Sequence, residues 1–276
     1  MALLAGAVIA LYQQQHTHER QETALMEKYH LRIHANALND NLKHLLYSLT
    51  FLADQVRLHQ PFRDREGLDI LAQDLLSFLN TTELFDQVRL LDIRGMEIAR
   101  ANYNNGNPAL SQQEQLQWKG DRYYFRESIR LDKGEIYISP LDLNVEYGRV
   151  ERPFRPVIRF AMPVFDQRGH KVGIIIMNYL AGNMLRQLRK MNADSEADVM
   201  LLNSDGYWFV APEPVMEWGF MFPERKKHNF GNINPDAWHR ILQSENGQFY
   251  DDDGTLFTFT TVYPFGSGLH IPFVHI

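Results

Sequence analysis

The chain has 276 residues, 45% of them hydrophobic, and a formal net charge of −6. That length and apolar fraction suit one large domain or two ordinary ones with true cores, and a mildly acidic chain with scattered basic residues carries no electrostatic footprint for nucleic acid. Cysteine is absent, which excludes disulfides, Cys-ligated zinc, iron–sulfur centres and thiol nucleophiles.

Ala2 to Tyr12 is uncharged and almost wholly apolar, and Gln13 to Glu22 turns abruptly polar. So short a stretch falls well below the roughly 20 residues needed to cross a bilayer. A signal peptide would carry a basic segment before it and an Ala-x-Ala-like site after it, and neither is present. Residues 1–12 are therefore expected to be the outer end of a transmembrane helix; the alternative is an apolar helix packed on the protein's own core. From Glu19 to Gln60 there is no proline or glycine, and Leu25, Tyr29, Ile33, Leu38, Leu42, Leu45, Leu46, Leu49, Leu52 and Val56 form an apolar stripe. Steps of three and four mark one face of a long helix, which predicts a stalk over residues 13–61 and a parallel homodimer seam. A second helix is expected from Leu68 to Leu79, after Pro61 and Gly67.

Beyond it the period changes to that of strands. Val88 to Ile98 is an apolar run, an Asp-x-x-Gly turn and a second apolar run, which predicts a β-hairpin. Ser111 to Leu131 reads as helical despite Gly120. Glu135–Ser139, Val157–Phe165 and Lys171–Tyr179 read as three strands, the last two joined by another Asp166-x-x-Gly169 turn, and Gly182 to Met191 as a closing helix. The pattern then repeats. Val199 to Phe209 copies the first hairpin, Gly247–Tyr250 echoes Gly134–Tyr137, and Phe257–Phe265 resembles Val157–Phe165. An insert, Asp142 to Pro156, belongs to the first copy alone, and the second copy has room for barely one strand after Phe265.

Helix, hairpin, helix and three-strand meander, given twice, resemble the double-Cache (double-PDC) sensor family. The motifs that carry the likeness are Arg100-x-x-Tyr103-Asn-Asn-Gly, Leu116-Gln-x-Lys119-x-x-Arg122-Tyr-Tyr-Phe125, Ser139-Pro-Leu-Asp-Leu-Asn144, Ile158-Arg-Phe160 and Asn178-Tyr-Leu180 in the first copy. Leu201-Leu-Asn-x-x-Gly-Tyr-Trp208 and Glu217-Trp-Gly-Phe-Met221 carry it in the second. The resemblance implies an α+β fold: two tandem PAS-like modules with five-stranded antiparallel sheets on a long N-terminal helix. Their expected bounds are 62–190, membrane-distal, and 191–276, membrane-proximal and truncated. It further implies a bacterial inner-membrane receptor whose sensor region lies in the periplasm, wired to a histidine kinase, diguanylate cyclase or chemoreceptor output.

No Gly-x-Ser-x-Gly, phosphate loop, His-Glu-x-x-His or dinucleotide fingerprint is present, so no catalytic residues and no cofactor are expected. His30 and His34 have a spacing that can chelate a metal, but on an exposed helix without a carboxylate at ligand spacing they read as solvated. Asp251, Asp252 and Asp253 read as a charged hairpin tip, because the ligand ladder of a calcium loop is missing. Trp208, Trp218, Phe220 and Trp238 read as packing.

The informative segment runs from Trp118 to Asn144. A guanidinium for a carboxylate, aromatic walls, and an acid or amide for an amine or hydroxyl are what a small polar metabolite needs. In the family the distal pocket draws on this helix and the strands after it, which makes Trp118, Arg122, Tyr124, Asp142, Asn144 and Arg159 the candidate ligand residues. The expected ligand is an amino acid, amine or organic acid. Against this stands a structural role: Tyr123, Tyr124 and Phe125 are consecutive and cannot share one face, and Arg159 can pair with Asp142 or Glu146 to staple the insert. A ligand-free module that only dimerises is the competing function.

Overall fold

The computed structural model describes residues 2–146, 148–193, 197–263 and 273–275. The chain forms two compact units, one of residues 41–186 and one of residues 1–40 with 187–276. Helix α1 (Ala2–His59) contributes to both. Among the described residues no helix is long and apolar enough to cross a membrane; the side chains of residues 2–17, on which the membrane expectation falls, lie outside the described ones.

In the first unit, Leu45, Leu49, Leu52 and Val56 of α1 are buried, at the three- and four-residue steps that place them on one face. Helix α2 (Arg65–Thr82) buries Leu71, Leu75 and Leu79 at four-residue steps. Asp64 starts it by accepting a hydrogen bond from the Gly67 amide at 2.8 Å, and Glu83, in the left-handed region at φ 52°, ends it. Phe78 of α2 meets Phe85 of the sheet with ring centroids 5.3 Å apart.

The sheet consists of β1 (Phe85–Asp92), β2 (Glu97–Asn102), β3 (Ala109–Leu110), β4 (Tyr137–Ile138), β5 (Asp142–Leu143), β8 (Pro156–Phe165) and β9 (Lys171–Leu180). A separate two-stranded ribbon, β6 (Val145–Glu146) with β7 (Arg149–Val150), lies in the insert. The sheet order is β3-β2-β1-β9-β8-β4, with β5 also paired to β8, all antiparallel. The expected five strands are the central β2-β1-β9-β8-β4. The two extra ones are two-residue pieces, β3 extending the edge and β5 fastening the insert to β8. Side chains alternate across a strand, so Arg89 and Leu91, Arg159 and Ala161, and Ile174, Ile176 and Asn178 share a face. Helix α3 (Tyr123–Ser128) covers it: Tyr124 and Phe125 pack with Leu91, Ala161, Ile174 and Ile176. Helix α4 (Gly182–Ala193) follows β9.

The segment expected to be helical from Ser111 to Leu131 is mostly not. A 3₁₀ turn at Gln113–Gln115 is followed by extended chain bridged at Trp118 to Met96 and then by a turn in which the Arg122 amide donates to the Lys119 carbonyl at 3.0 Å, and only α3 is helical. Two glycines explain the break. A Cβ on Gly120 would come 2.6 Å from the Arg94 carbonyl oxygen, and one on Gly95, at φ +86°, would come 2.4 Å from the Gly120 Cα. The chain must pass flat against the first hairpin turn there, and a continuing helix could not.

The second unit repeats the plan. Strands β10 (Leu201–Leu202), β11 (Trp208–Val210), β12 (Asn246–Tyr250), β13 (Leu256–Val262) and β14 (Phe273–His275) form an antiparallel sheet in the order β11-β10-β14-β13-β12. This is the order of the five central strands of the first sheet. Helices α5 (Phe230–Ile233) and α6 (Pro235–Ile241) pack through Phe230, Ala237 and Ile241 on Leu202, Trp208, Phe257 and Phe259. The tryptophans lie in aromatic contacts: Trp208 with Phe230, Trp218 with Phe209 and Phe220, Trp238 with Phe230.

The hairpin turns share one device. Asp92 Oδ1 accepts from the Arg94 and Met96 amides, Asp166 Oδ1 from Arg168 and His170, and Asn203 Oδ1 from Asp205 and Tyr207, all between 2.8 and 3.0 Å. The carboxylate or amide fixes the turn, and the glycine three residues on supplies the positive φ. Asp251 does the same for Thr255 at 2.7 Å, which gives the acidic tip a structural task.

Candidate functional site

The face under α3 carries a polar cluster of unusual density for a core. Arg122 is the residue before α3 rather than part of it, extended at φ −75° and ψ 139°. Its guanidinium carbon lies 5.9 Å from the centroid of the Tyr124 ring. Arg89 and Arg159, from β1 and β8, place theirs 5.4 and 5.5 Å from the same ring. Tyr124 thus sits among three cations, an arrangement in which the negative face of a ring offsets part of their mutual repulsion.

Arg159 is 2% exposed. Its Nη1 donates to Asp142 Oδ1 at 2.6 Å and to the Tyr123 hydroxyl at 3.2 Å, and its Nη2 to Asn144 Oδ1 at 3.4 Å. Tyr123 donates to the other Asp142 oxygen at 2.9 Å. Burial opposes the charge on Arg159, but the adjacent Asp142 and Tyr123 outweigh it and hold the guanidinium above its usual pKa. Burial, and then Asp142, push the Tyr123 hydroxyl up, so it stays a donor. Burial also raises Tyr137 to about 12. Asn144 continues the chain of contacts by donating to Glu151 Oε2 at 3.0 Å, and Glu151 pairs with Arg155 at 3.3 Å. Arg155 in turn binds Asp86.

On the other side, Arg89 donates to the Tyr124 hydroxyl at 3.3 Å and to Asn178 Oδ1 at 2.9 Å. It lies 3.6 Å from Glu97 Oε1, an ion pair too long for a hydrogen bond. Glu97, with a side chain 0% exposed, also accepts from Arg100 at 3.0 Å and from the Gln117 amide at 3.0 Å. Burial works against the charge on Arg89, and Tyr124 and Glu97 override it and raise its pKa.

Of the six residues expected at a ligand site, Arg122, Tyr124, Asp142, Asn144 and Arg159 come together. Trp118 stands apart: it is 58% exposed and its indole Nε1 donates to the Arg94 carbonyl at 2.9 Å, over the first hairpin turn. Arg89, Glu97, Asn178 and Tyr123 were not expected there. Their signal is polar residues at inward positions of otherwise apolar strands, as in Val88-Arg-Leu-Leu91 and Ile176-Met-Asn178. The carboxylates are committed to arginines, whereas Arg122 has a ring contact and no ion pair among the described residues. Three guanidiniums around one ring concentrate positive charge on this side of the cluster.

The two helical histidines stack, with centroids 6.5 Å apart. Burial, and then the charge of His30, lower the His34 pKa. Among the described residues no group of three or more His, Cys, Asp or Glu is placed to hold a metal ion.

A sequence profile described as "Bacterial histidine kinase, sensor domain" matches residues 32–272. No curated protein sequence matches the chain. Among solved structures it is similar to a domain of a candidate sensory box/GGDEF family protein from Vibrio parahaemolyticus: 22% identity, 92% of this chain, 95% of that one, TM-score 0.78. It is also similar to the ligand-binding domain of a Pseudomonas aeruginosa PAO1 amino-acid chemoreceptor in complex with GABA: 15% identity, 92% of this chain, 97% of that one, TM-score 0.61. The ligand-binding domain of a Pseudomonas fluorescens chemoreceptor, in complex with L-serine, matches at 13% identity, 93% and 96% coverage and a TM-score of 0.59. At these identities the likenesses show the fold, that of PDC/Cache sensor domains.

Proposed function

The chain belongs to the family of bacterial histidine kinase sensor domains, and from that premise we propose that its first module is a receptor site for a small carboxylate-bearing metabolite, an amino acid or organic acid. The observation that carries this is Arg122, a guanidinium beside two others around Tyr124 that no carboxylate of the described residues neutralises. A planar fork that stays charged and binds carboxylates bidentately suits the task. Tyr124 forms the wall. Asp142, already aligned by Tyr123, faces an amine or hydroxyl on the ligand. The chemoreceptor domains of this fold solved with GABA and with L-serine support that ligand class. A thermal-shift screen of the soluble chain against amino acids, organic acids and amines tests it. Stabilisation by one or more carboxylates is expected; stabilisation by none of them defeats it.

In this reading the sensor region stands outside the cytoplasm, the N-terminal helix anchors it to the inner membrane, and ligand entry shifts that helix relative to a dimer partner. Leu25, Met26, Tyr29 and Ile33 are all exposed on α1, an apolar surface that a second copy would cover. Single cysteines placed from Leu25 to Ile33 in membrane-inserted receptor are expected to cross-link with helical periodicity. A flat profile across those positions contradicts the seam. The alternative, a ligand-free module, draws on one observation: Asp142, Tyr123 and Asn144 occupy the donors of Arg159, as a staple for the insert would.

A further inference from the structure

A groove of about 970 Å³ opens in the unit formed by residues 1–40 and 187–276, remote in composition from the arginine-rich cluster of the other unit. Trp208, Phe230 and Phe257, all buried, lie along it with the thioethers of Met200 and Met216. Its charged lining is of one sign: Glu27 from α1, Asp198 and Glu213, with no lysine or arginine. None of these three carboxylates has an ion pair or side-chain hydrogen bond among the described residues.

We propose that this groove is a second ligand site, selective for an organic cation: an ammonium carried on an apolar or aromatic body. Three considerations support this. Uncommitted carboxylates in a concave surface concentrate positive charge. Aromatic faces accept both an apolar body and a cation, and the thioethers of Met200 and Met216 add an adaptable apolar surface. The volume lies in the range of small-molecule sites. A bare metal ion is a poor occupant, since no grouping of three or more ligating side chains is in place among the described residues. His30 and His34 also line the groove; burial, and then the charge of His30, shift the His34 imidazole towards its neutral form. Because Thr23, Glu27, Leu31 and both histidines belong to α1, an occupant would touch the helix directly.

The test is calorimetric titration of the full chain with phenethylammonium and, as its neutral counterpart, 2-phenylethanol. Phenethylammonium should bind at least about tenfold more tightly than the alcohol, as expected for charge-assisted contacts. The Glu27→Gln/Glu213→Gln double variant, whose sites are half-buried and exposed, should fold normally and reduce that preference to about threefold or less, since part of each charge is screened by solvent. Equal affinity for the two probes, an undiminished preference in the double variant, or no binding of phenethylammonium at millimolar concentration each overturns the proposal.

Discussion

Arg159→Ala is expected to lower the melting temperature of the chain by on the order of 10 °C. Removing one partner of a buried pair costs about 3–5 kcal/mol, because the other charge is left behind without compensation, and each kcal/mol is worth about 2–4 °C in a domain of this size. The Arg159 side chain is 3% exposed and that of Asp142 17%. Asp142 therefore keeps some access to water, and the Tyr123 hydroxyl stays with it, which places the cost near 3 kcal/mol. Thermal denaturation followed by circular dichroism measures it. Replacing both partners, Arg159→Met with Asp142→Leu, should recover most of the loss. A single variant that melts like the parent would mean that the pair contributes nothing to the fold.

Glu97→Leu is expected to cost as much or more, about 4 kcal/mol. Its carboxylate is wholly buried between Arg89 and Arg100 and also accepts the Gln117 amide. Without it two guanidiniums face each other, and only Arg100, 11% exposed against 4% for Arg89, has a route to water. Glu97→Gln removes the same charge but keeps an acceptor for Gln117, so it should cost somewhat less, about 3 kcal/mol. Urea titration of both variants gives the two values. If leucine and glutamine proved equally mild, the two arginines would not depend on that charge.

Much of this architecture is legible in the chain because its devices are local. The turn at Asp92-Ile-Arg-Gly95 and its copies announce themselves, since one side-chain oxygen and one glycine do all the work within four residues. Leucines at helical steps mark α1 and α2 for the same reason. The segment after Ser111 is not legible, because its path is set by Gly120 lying against Gly95, a contact between residues far apart in sequence. The site divides the same way. Arg122 and Tyr124 stand out beside one another, and Asp142 and Asn144 stand out in the insert. Arg89 and Asn178 hide in apolar strands, and what exposes them is their shared face with Tyr124. Trp118 stands out in the sequence as an aromatic near an arginine, yet its ring caps a turn.

The most direct measurement is made on Arg122→Ala. Arg122 is half-buried, precedes α3 without capping it through its side chain, and has no ion pair among the described residues. A charge-assisted contact contributes about 1.5–3 kcal/mol, so the variant should bind the strongest carboxylate from the screen about tenfold more weakly or worse. Its melting temperature without ligand should stay within about 2 °C of the parent, as for substitutions that leave no buried charge unpaired. Calorimetric titration and a ligand-free melt on that one variant give both numbers. Weakened binding at unchanged stability is the predicted result; unchanged affinity with a lowered melting temperature would contradict it and leave Arg122 as part of the scaffold.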